Sequence, residues 1–113
     1  MSYTIKIRQR FSAAHFLRSY KGKCESIHGH NYIVEVCLRG DKLKKIGLLY
    51  DFNEVKEAIK KILPDHQLLN KTLSFNPTCE NLARYFYDKL KKNYPVTKVT
   101  VWETLDTGAE YEE

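Results

Sequence analysis

Three of the four histidines in the chain are spaced so that they could share one metal ion. His28 and His30 are separated by one residue, so both imidazoles point to the same side of an extended chain. His15 follows the first predicted strand, from which an antiparallel partner would present it to the same point. Three neutral imidazoles suit Zn²⁺ and leave a fourth position open, which is typical of a catalytic site. The alternative is an accidental surface turn.

Two residues beside this histidine pair add to the interpretation. Cys24 precedes His28 by four residues, in a polar segment that also contains Lys21 and Lys23. A thiol near a metal cation and two ammonium groups would have a lowered pKa and could act as a base. It could equally be a fourth ligand that closes the site, or a surface thiol. Gly29 carries no side chain and would let the backbone bend close to the ion.

Titratable groups also occur further along the chain. In Asp65-His66, the carboxylate could orient the imidazole for proton transfer, or the pair could simply form the turn after a helix. Glu103 shares a strand face with Val99 and Val101. It is therefore either a buried carboxylate that needs N–H donors from a ligand, or a strand-end residue that emerges into solvent.

The composition is that of a soluble globular protein with one domain, residues 1–113. Hydrophobic residues make up 42% and charged residues 29% of the 113 residues. There is no run of the roughly 20 apolar residues that span a bilayer, and the N-terminus lacks a signal-peptide core, so we expect a cytoplasmic protein. Three cysteines cannot all pair, which favours reduced thiols, with Cys37 and Cys79 as small buried residues.

The net charge of +5 permits an anionic partner. The lysines in two of the three lysine-rich groups lie on predicted helices and have acidic neighbours, which is typical of solvated helix faces. We therefore do not expect a nucleic-acid partner, whereas a phosphorylated small molecule remains compatible with the charge.

Hydrophobic periodicity predicts six elements in the order β-β-α-α-β-β. The two helices should begin after the N-caps Asp51 and Thr78, and residues 65–76 should form a turn-rich connector. The four predicted strands are residues 3–11, 31–39 and 97–104 and a short final strand around Glu110 and Tyr111. This order predicts an α+β domain in which an antiparallel sheet carries both helices on one face. The other face would then need cover, which oligomerisation could supply.

Six motifs in this order resemble those of the 6-pyruvoyl-tetrahydropterin synthase family. They span residues 11–104, nearly the whole chain. The motifs are Phe-Ser-Ala-Ala-His (11–15), Cys-x-x-x-His-Gly-His-Asn-Tyr (24–32), Asp-Phe-x-x-x-Lys (51–56), Asp-His-x-x-Leu-Asn (65–70), Pro-Thr-x-Glu-Asn-Leu-Ala (77–83) and Trp-Glu-Thr (102–104).

The resemblance implies the tunnelling fold (T-fold), in which trimers close their sheets into a barrel and two trimers form a homohexamer. It implies zinc on the three histidines and Cys24 as the thiol that removes a proton. Asp65 and His66 would form a relay contributed across a subunit interface, and Glu103 would anchor the pterin ring. The Pro-Thr-x-Glu motif would lie beside the pterin, so Thr78, Cys79 and Glu80 are candidate substrate-binding residues.

Within the family, the three residues between Cys24 and His28 resemble the 6-carboxy-tetrahydropterin synthases of the 7-deazaguanine (queuosine or archaeosine) pathway. That resemblance implies a carbon–carbon lyase that acts on 7,8-dihydroneopterin triphosphate and releases acetaldehyde and triphosphate. A 6-pyruvoyl product and a non-catalytic zinc-stabilised module are the alternatives. Cys79 departs from the family pattern, since a hydroxyl residue is expected there.

Overall fold

A computed structural model describes residues 1–22 and 25–113 of the chain. The elements, in chain order, are β1 (Tyr3–His15), β2 (His28–Gly40), α1 (Phe52–Ile62), β3 (Gln67–Leu68), α2 (Leu69–Thr72), α3 (Cys79–Leu90), β4 (Val96–Trp102) and β5 (Gly108–Glu112). The α+β prediction is confirmed. None of the helices in the described ranges is long and apolar enough to cross a membrane.

The five strands form one sheet in the order β3-β1-β2-β4-β5. Three of the four pairings are antiparallel, as predicted, but β3 pairs with β1 in parallel through Ala13–Gln67 and Ala14–Leu68. The prediction of an antiparallel sheet is therefore wrong for β3, and residues 65–76, predicted to be a turn-rich connector, contain two short elements. That segment forms β3 and α2, which are too short to leave a periodic pattern in the sequence.

Both long helices begin where the sequence predicts. The Asp51 carboxylate accepts a hydrogen bond from the Asn53 N–H at 2.9 Å, and the Thr78 hydroxyl accepts one from the Asn81 N–H at 3.1 Å. These caps satisfy N–H groups that have no partner within the helix. Pro64 follows the end of α1 at Ile62.

The core lies between the helices and one face of the sheet. Alternate residues of β1, β2 and β4 contribute to it, and the helices add Val55, Ile59, Leu82 and Phe86, all within one cluster. Because α1 packs on β1 and α3 packs on β4 and β5, both helices cover the same face. This confirms the predicted layering.

The opposite face of the sheet carries no helix within the described ranges, but it is largely polar. Arg8 and Glu35 form an ion pair across β1 and β2, with 2.7 Å between Nε and Oε1. Lys98 and Glu110 form another across β4 and β5 at 3.5 Å. Charged side chains in water do not need an apolar partner, so the polar character of this face does not by itself require cover. Cover by oligomerisation stays a prediction.

Strand alternation also decides which polar groups reach the helix-covered side. His15, His28 and His30 have the same parity as the buried Phe11 and Tyr32, and the register pairs His15 with His28 and Ala13 with His30. The histidines consequently sit at one end of the core, beyond its last aromatic layer.

Candidate active site

The imidazoles of His15, His28 and His30 converge at the start of β2. Their ring centroids are 4.7 to 5.1 Å apart, and one nitrogen from each ring lies within 4.8 Å of the others. His15 is 2% exposed, whereas His28 is exposed and His30 is intermediate. The predicted cluster of three is therefore brought together, with one face open to solvent.

Backbone carbonyls set the tautomers of two of these rings. The Nδ1–H of His15 donates to the Pro77 carbonyl, and that of His28 donates to the Ser26 carbonyl, both at 2.9 Å. Because a carbonyl can only accept, each Nδ1 carries the proton and each Nε2 keeps a lone pair. The two Nε2 atoms face each other 3.1 Å apart.

Two facing lone pairs repel each other unless a cation lies between them. Nitrogen ligands at about 2.0–2.1 Å from a tetrahedral zinc lie about 3.3 Å apart, which is close to the observed separation. The pKa of His30 is lowered, chiefly by burial, and it is further lowered by the other two histidines and partly offset by Glu103. Burial and the two neighbouring imidazoles thus favour the neutral, metal-binding form of His30 over the opposing effect of Glu103, so the donor set fits a metal ion.

Tyr32 lies between the histidine cluster and the aromatic core. Its hydroxyl lies 3.1 Å from His15 Nδ1, and its ring stacks on Phe11 with centroids 4.7 Å apart. Burial raises the pKa of the Tyr32 hydroxyl well above its usual range. The sequence predicts no role for Tyr32 beyond its place in the 24–32 motif, although its strand parity with His28 and His30 is a signal for one.

Gly29 does not play the part expected from the sequence. It lies in β2 with its Cα–Cβ direction on the face opposite the three rings, and a Cβ there would meet only the Ala13 carbonyl at 3.7 Å. That is an ordinary contact, so the backbone in this structure does not require glycine for close approach to an ion.

Glu103 lies just past the end of β4. The sequence predicts either a buried carboxylate or a strand-end residue that emerges into solvent, and Glu103 has features of both. Val99 and Val101, on its face, are fully buried, but its own side chain is 31% exposed. Its Oε2 lies 3.8 Å from His30 Nε2. The carboxylate thus leaves the buried face at the rim of the histidine cluster, where a ligand could reach it.

Cys79 lies next to this carboxylate. Burial raises the pKa of the Cys79 thiol to about 12, and the Glu103 charge and hydrogen bonding add to the effect. The thiol is therefore a protonated donor. Thr78 uses its hydroxyl oxygen as the cap of α3. Glu80 is exposed in the first turn of α3, so its assignment to the substrate stays a prediction.

Asp65 and His66 form a hydrogen-bonded pair at the edge of β1, with 2.9 Å between Oδ2 and Nδ1. The Ser12 N–H donates to Asp65 Oδ1 at 2.8 Å, and this bond, followed by His66, lowers the pKa of the carboxyl. Both side chains are exposed, at 51% and 81%. The structure therefore brings this pair together but leaves it outside the metal-ligand group.

Two open clefts meet at His30. One, of about 520 Å³, is lined by Ser12, Asn31, His66 and their neighbours, and the other, of about 420 Å³, is lined by Arg10, Glu103, Leu105 and theirs. His66 and Glu103 therefore lie on either side of the histidine cluster. Cys24 and Lys23 lie outside the described residues, so the predicted role of the thiol has no structural description here.

Comparison with known proteins identifies one family. A model of the 6-pyruvoyl tetrahydropterin synthase family matches residues 4–113. The chain is 39% identical over 109 residues to an Archaeoglobus fulgidus protein provisionally assigned as a 6-carboxy-5,6,7,8-tetrahydropterin synthase, covering 94% of this chain and 92% of the relative. The Haemophilus influenzae 6-carboxy-5,6,7,8-tetrahydropterin synthase is 30% identical, with coverage of 96% and 99%.

Other relatives carry different names. The dihydroneopterin monophosphate aldolase of Pyrococcus furiosus is 33% identical, with 99% of both chains covered. The structure of Caenorhabditis elegans 6-pyruvoyl tetrahydropterin synthase superposes with a TM-score of 0.85 and 31% identity, covering 100% of this chain and 96% of that one.

Proposed function

Because the chain belongs to the 6-pyruvoyl tetrahydropterin synthase family, we propose that it is a 6-carboxy-5,6,7,8-tetrahydropterin synthase, a carbon–carbon lyase. It would convert 7,8-dihydroneopterin triphosphate and water to 6-carboxytetrahydropterin, acetaldehyde and triphosphate. The observation that carries this proposal is near-full-length similarity to relatives of that name, together with a convergent three-histidine cluster.

We further propose Zn²⁺ as the metal, held by His15, His28 and His30. Nitrogen-only ligation and the separation of the two Nε2 atoms support zinc over magnesium or calcium, which prefer oxygen ligands. When bound, zinc would supply a Lewis acid that polarises a side-chain oxygen of the substrate. The exposed side of the cluster, at His28, is where that oxygen would enter.

The chain's own residues would bind the pterin and move protons around it. The Glu103 carboxylate would accept N–H groups of the pterin edge, as a carboxylate can accept two parallel donors. Thr78, Cys79 and Glu80 would contact the ring from the start of α3, with the protonated Cys79 thiol in place of a hydroxyl.

Proton transfer would involve Cys24, Asp65 and His66. In this proposal the Cys24 thiolate removes a carbon-bound proton of the substrate side chain. Asp65 accepts the Nδ1–H of His66, which leaves His66 Nε2 free to exchange a proton. The strong exposure of His66 supports its use by the site of a neighbouring subunit.

Two competing activities have specific support. The Caenorhabditis elegans structure supports 6-pyruvoyl synthesis, in which triphosphate is eliminated without loss of acetaldehyde. The Pyrococcus furiosus relative supports aldol cleavage of dihydroneopterin monophosphate. The spacing of three residues between Cys24 and His28 favours the carboxy-synthase, because it is this subfamily that the spacing resembles.

Product identification distinguishes these activities. Zinc-loaded protein is incubated with dihydroneopterin triphosphate, and separately with the monophosphate, and the products are identified by mass. We expect one acetaldehyde per 6-carboxytetrahydropterin from the triphosphate and no cleavage of the monophosphate. A pyruvoyl product without acetaldehyde, or cleavage of the monophosphate alone, would overturn the proposal.

The Cys24→Ala variant separates a base from a metal ligand. If Cys24 is the base, the variant keeps one zinc per chain but loses turnover. Loss of zinc together with turnover would instead indicate a closed four-ligand site and would support a structural zinc module.

A further inference from the structure

Hydrogen bonds from side chains hold the backbone of the chain just after His15. β1 ends at His15, yet the backbone groups of the next three residues, Phe16–Arg18, are all hydrogen-bonded. Asn70 is responsible for the first: its Oδ1 accepts the Phe16 N–H at 2.9 Å, and its Nδ2 donates to the Phe16 carbonyl at 2.8 Å. A carboxamide that pairs in both directions replaces the peptide group of a neighbouring strand.

Asn76 does the same two residues later. Its Oδ1 accepts the Arg18 N–H at 2.8 Å, and its Nδ2 donates to the Arg18 carbonyl at 3.3 Å. The backbone groups of Phe16 and Arg18 therefore both face the two asparagines. We call Asn70 and Asn76 the asparagine clamp.

Leu17 faces the other edge and is held by Glu25. The Glu25 N–H donates to the Leu17 carbonyl at 3.1 Å, and the Glu25 carboxylate accepts the Leu17 N–H at 3.1 Å. These two bonds join the ends of the Leu17–Glu25 loop. The main chain at Glu25 is therefore fixed relative to Leu17.

Arg18 links the two halves of the clamp. Its guanidinium donates from Nη1 to the Phe75 carbonyl and from Nη2 to the Asn70 carbonyl, each at 3.0 Å. Arg18 is thus held twice. Its main chain binds the Asn76 side chain, and its side chain binds the backbone at Asn70 and Phe75. Rigid bidentate donation of this kind is a property of arginine that lysine lacks.

The clamp lies close in the chain to three separate parts of the site. Phe16 follows His15, Asn76 precedes Pro77, whose carbonyl orients the His15 ring, and Asn70 lies four residues after His66. We infer that Asn70, Asn76 and Arg18 are positioning residues, which set the His15 ring and the chain at Phe16–Arg18 against the segment carrying Asp65 and His66. The part that concerns turnover rests on the proposed function.

The test uses side-chain changes that preserve volume. Asn70→Asp and Asn76→Asp each keep the acceptor oxygen but lose the Nδ2–H donor, and Arg18→Lys keeps the charge but loses the fork. Asn93→Asp is the matched control, because Asn93 lies beyond α3 and only its backbone N–H has a described hydrogen bond. Circular dichroism and thermal melting establish that each variant is folded before it is assayed.

Zinc affinity, measured by competition with a chromophoric chelator, is the readout that does not need turnover. We expect Asn70→Asp, Asn76→Asp and Arg18→Lys, the clamp variants, each to bind zinc about 10- to 100-fold more weakly, as do other changes to residues that orient a metal ligand. Asn93→Asp should match the wild type. With dihydroneopterin triphosphate, kcat should fall by a similar factor while KM changes less than about threefold.

The outcomes separate the two proposals. If folded clamp variants bind zinc and turn over within twofold of the control, the positioning role is wrong. If the wild type forms no product but the clamp variants still lose zinc affinity, the proposed function fails and the positioning of His15 stands. If Asn70→Asp does not fold, Arg18→Lys and Asn76→Asp decide the matter by the same measurements.

Discussion

Two backbone carbonyls, those of Pro77 and Ser26, decide which ring nitrogens of the histidine cluster are free to bind a metal. Each takes an Nδ1 proton and so leaves an Nε2 lone pair pointing into the cluster. The sequence predicts the ligands because i and i+2 spacing on a strand has one geometric consequence. It contains no signal for the carbonyls, since every residue has one and only the fold selects which are near.

Replacing a ligand and replacing a relay residue should have different effects. His15→Ala should leave the protein without bound zinc after dialysis, because a buried ligand is lost. His66→Ala should keep one zinc per chain and lose turnover, because its exposed side chain is outside the ligand group. Metal analysis beside product formation checks both. Retention of stoichiometric zinc by His15→Ala would refute the assignment.

The three thiols should differ sharply in reactivity. Burial raises the pKa of both Cys37 and Cys79, the latter to about 12, so neither forms much thiolate near neutral pH. Iodoacetamide at pH 8 should therefore add to Cys24 alone in the folded protein and to all three thiols in guanidinium chloride. Peptide mass mapping identifies the sites, and Cys24→Ser is the control. Rapid labelling of Cys79 in the folded protein would contradict the expectation.

Asp65 should contribute to stability only above the pH at which it is ionised. Its pKa is lower in the folded chain, chiefly through the Ser12 N–H, so its contribution is present above the unfolded pKa of about 4 and is lost as pH falls through the folded value. Asp65→Asn should therefore show a smaller loss of unfolding free energy between pH 5 and about pH 2. Urea titrations across this range test it, and equal slopes for both proteins would refute it.

Among the elements, those with a local signal were predicted and those without one were not. α1 and α3 have an N-cap, an apolar stripe and a clear end, and β1, β2, β4 and β5 alternate or are rich in branched residues. β3 has two residues, and its parallel partner in β1 is more than fifty residues earlier in the chain. Such a pairing depends on where the chain emerges after α1, and no local sequence pattern indicates that position.

The cap of α3 offers a test at this scale. Thr78→Ala removes the acceptor for the Asn81 N–H and should lower the unfolding free energy by about 1 kcal/mol, whereas Thr78→Ser should remain close to wild type. Urea unfolding measures both. Because Thr78→Ser keeps a hydroxyl, any loss of turnover in the alanine variant beyond that of serine reports on the substrate as well as on the helix. Equal stability of all three proteins would exclude the cap.

In the described part of the chain, the sheet of a single copy has two edges whose backbone groups are largely free to pair with another chain. The outer edge of β1 is paired only at Ala13 and Ala14 within the described residues, and β5 forms the other edge of the sheet. Open edges are templates for pairing with another chain. These edges, and not an apolar open face, are what support the proposed homohexamer.

Subunit mixing tests whether the site is shared. A hexamer of 13.3 kDa chains should have a mass of about 80 kDa by light scattering. His15→Ala and His66→Ala are each inactive alone, but co-refolded in equal amounts they should regain activity at about a quarter of the sites if each site combines two subunits. No recovery in a mixed hexamer would place His66 in the site of its own chain. A monomeric active enzyme would refute the assembly.

Residue types at short, fixed spacings predict the three histidines, the α+β class, the two helix starts and the family. The ring tautomers, the polar character of the open face, the place of Glu103 between core and solvent, and the asparagine clamp became visible in the folded chain alone. These depend on contacts between residues far apart in the chain, such as Phe16 with Asn70 and His15 with Pro77. Such contacts exist only once the core has fixed how the helices return to the sheet.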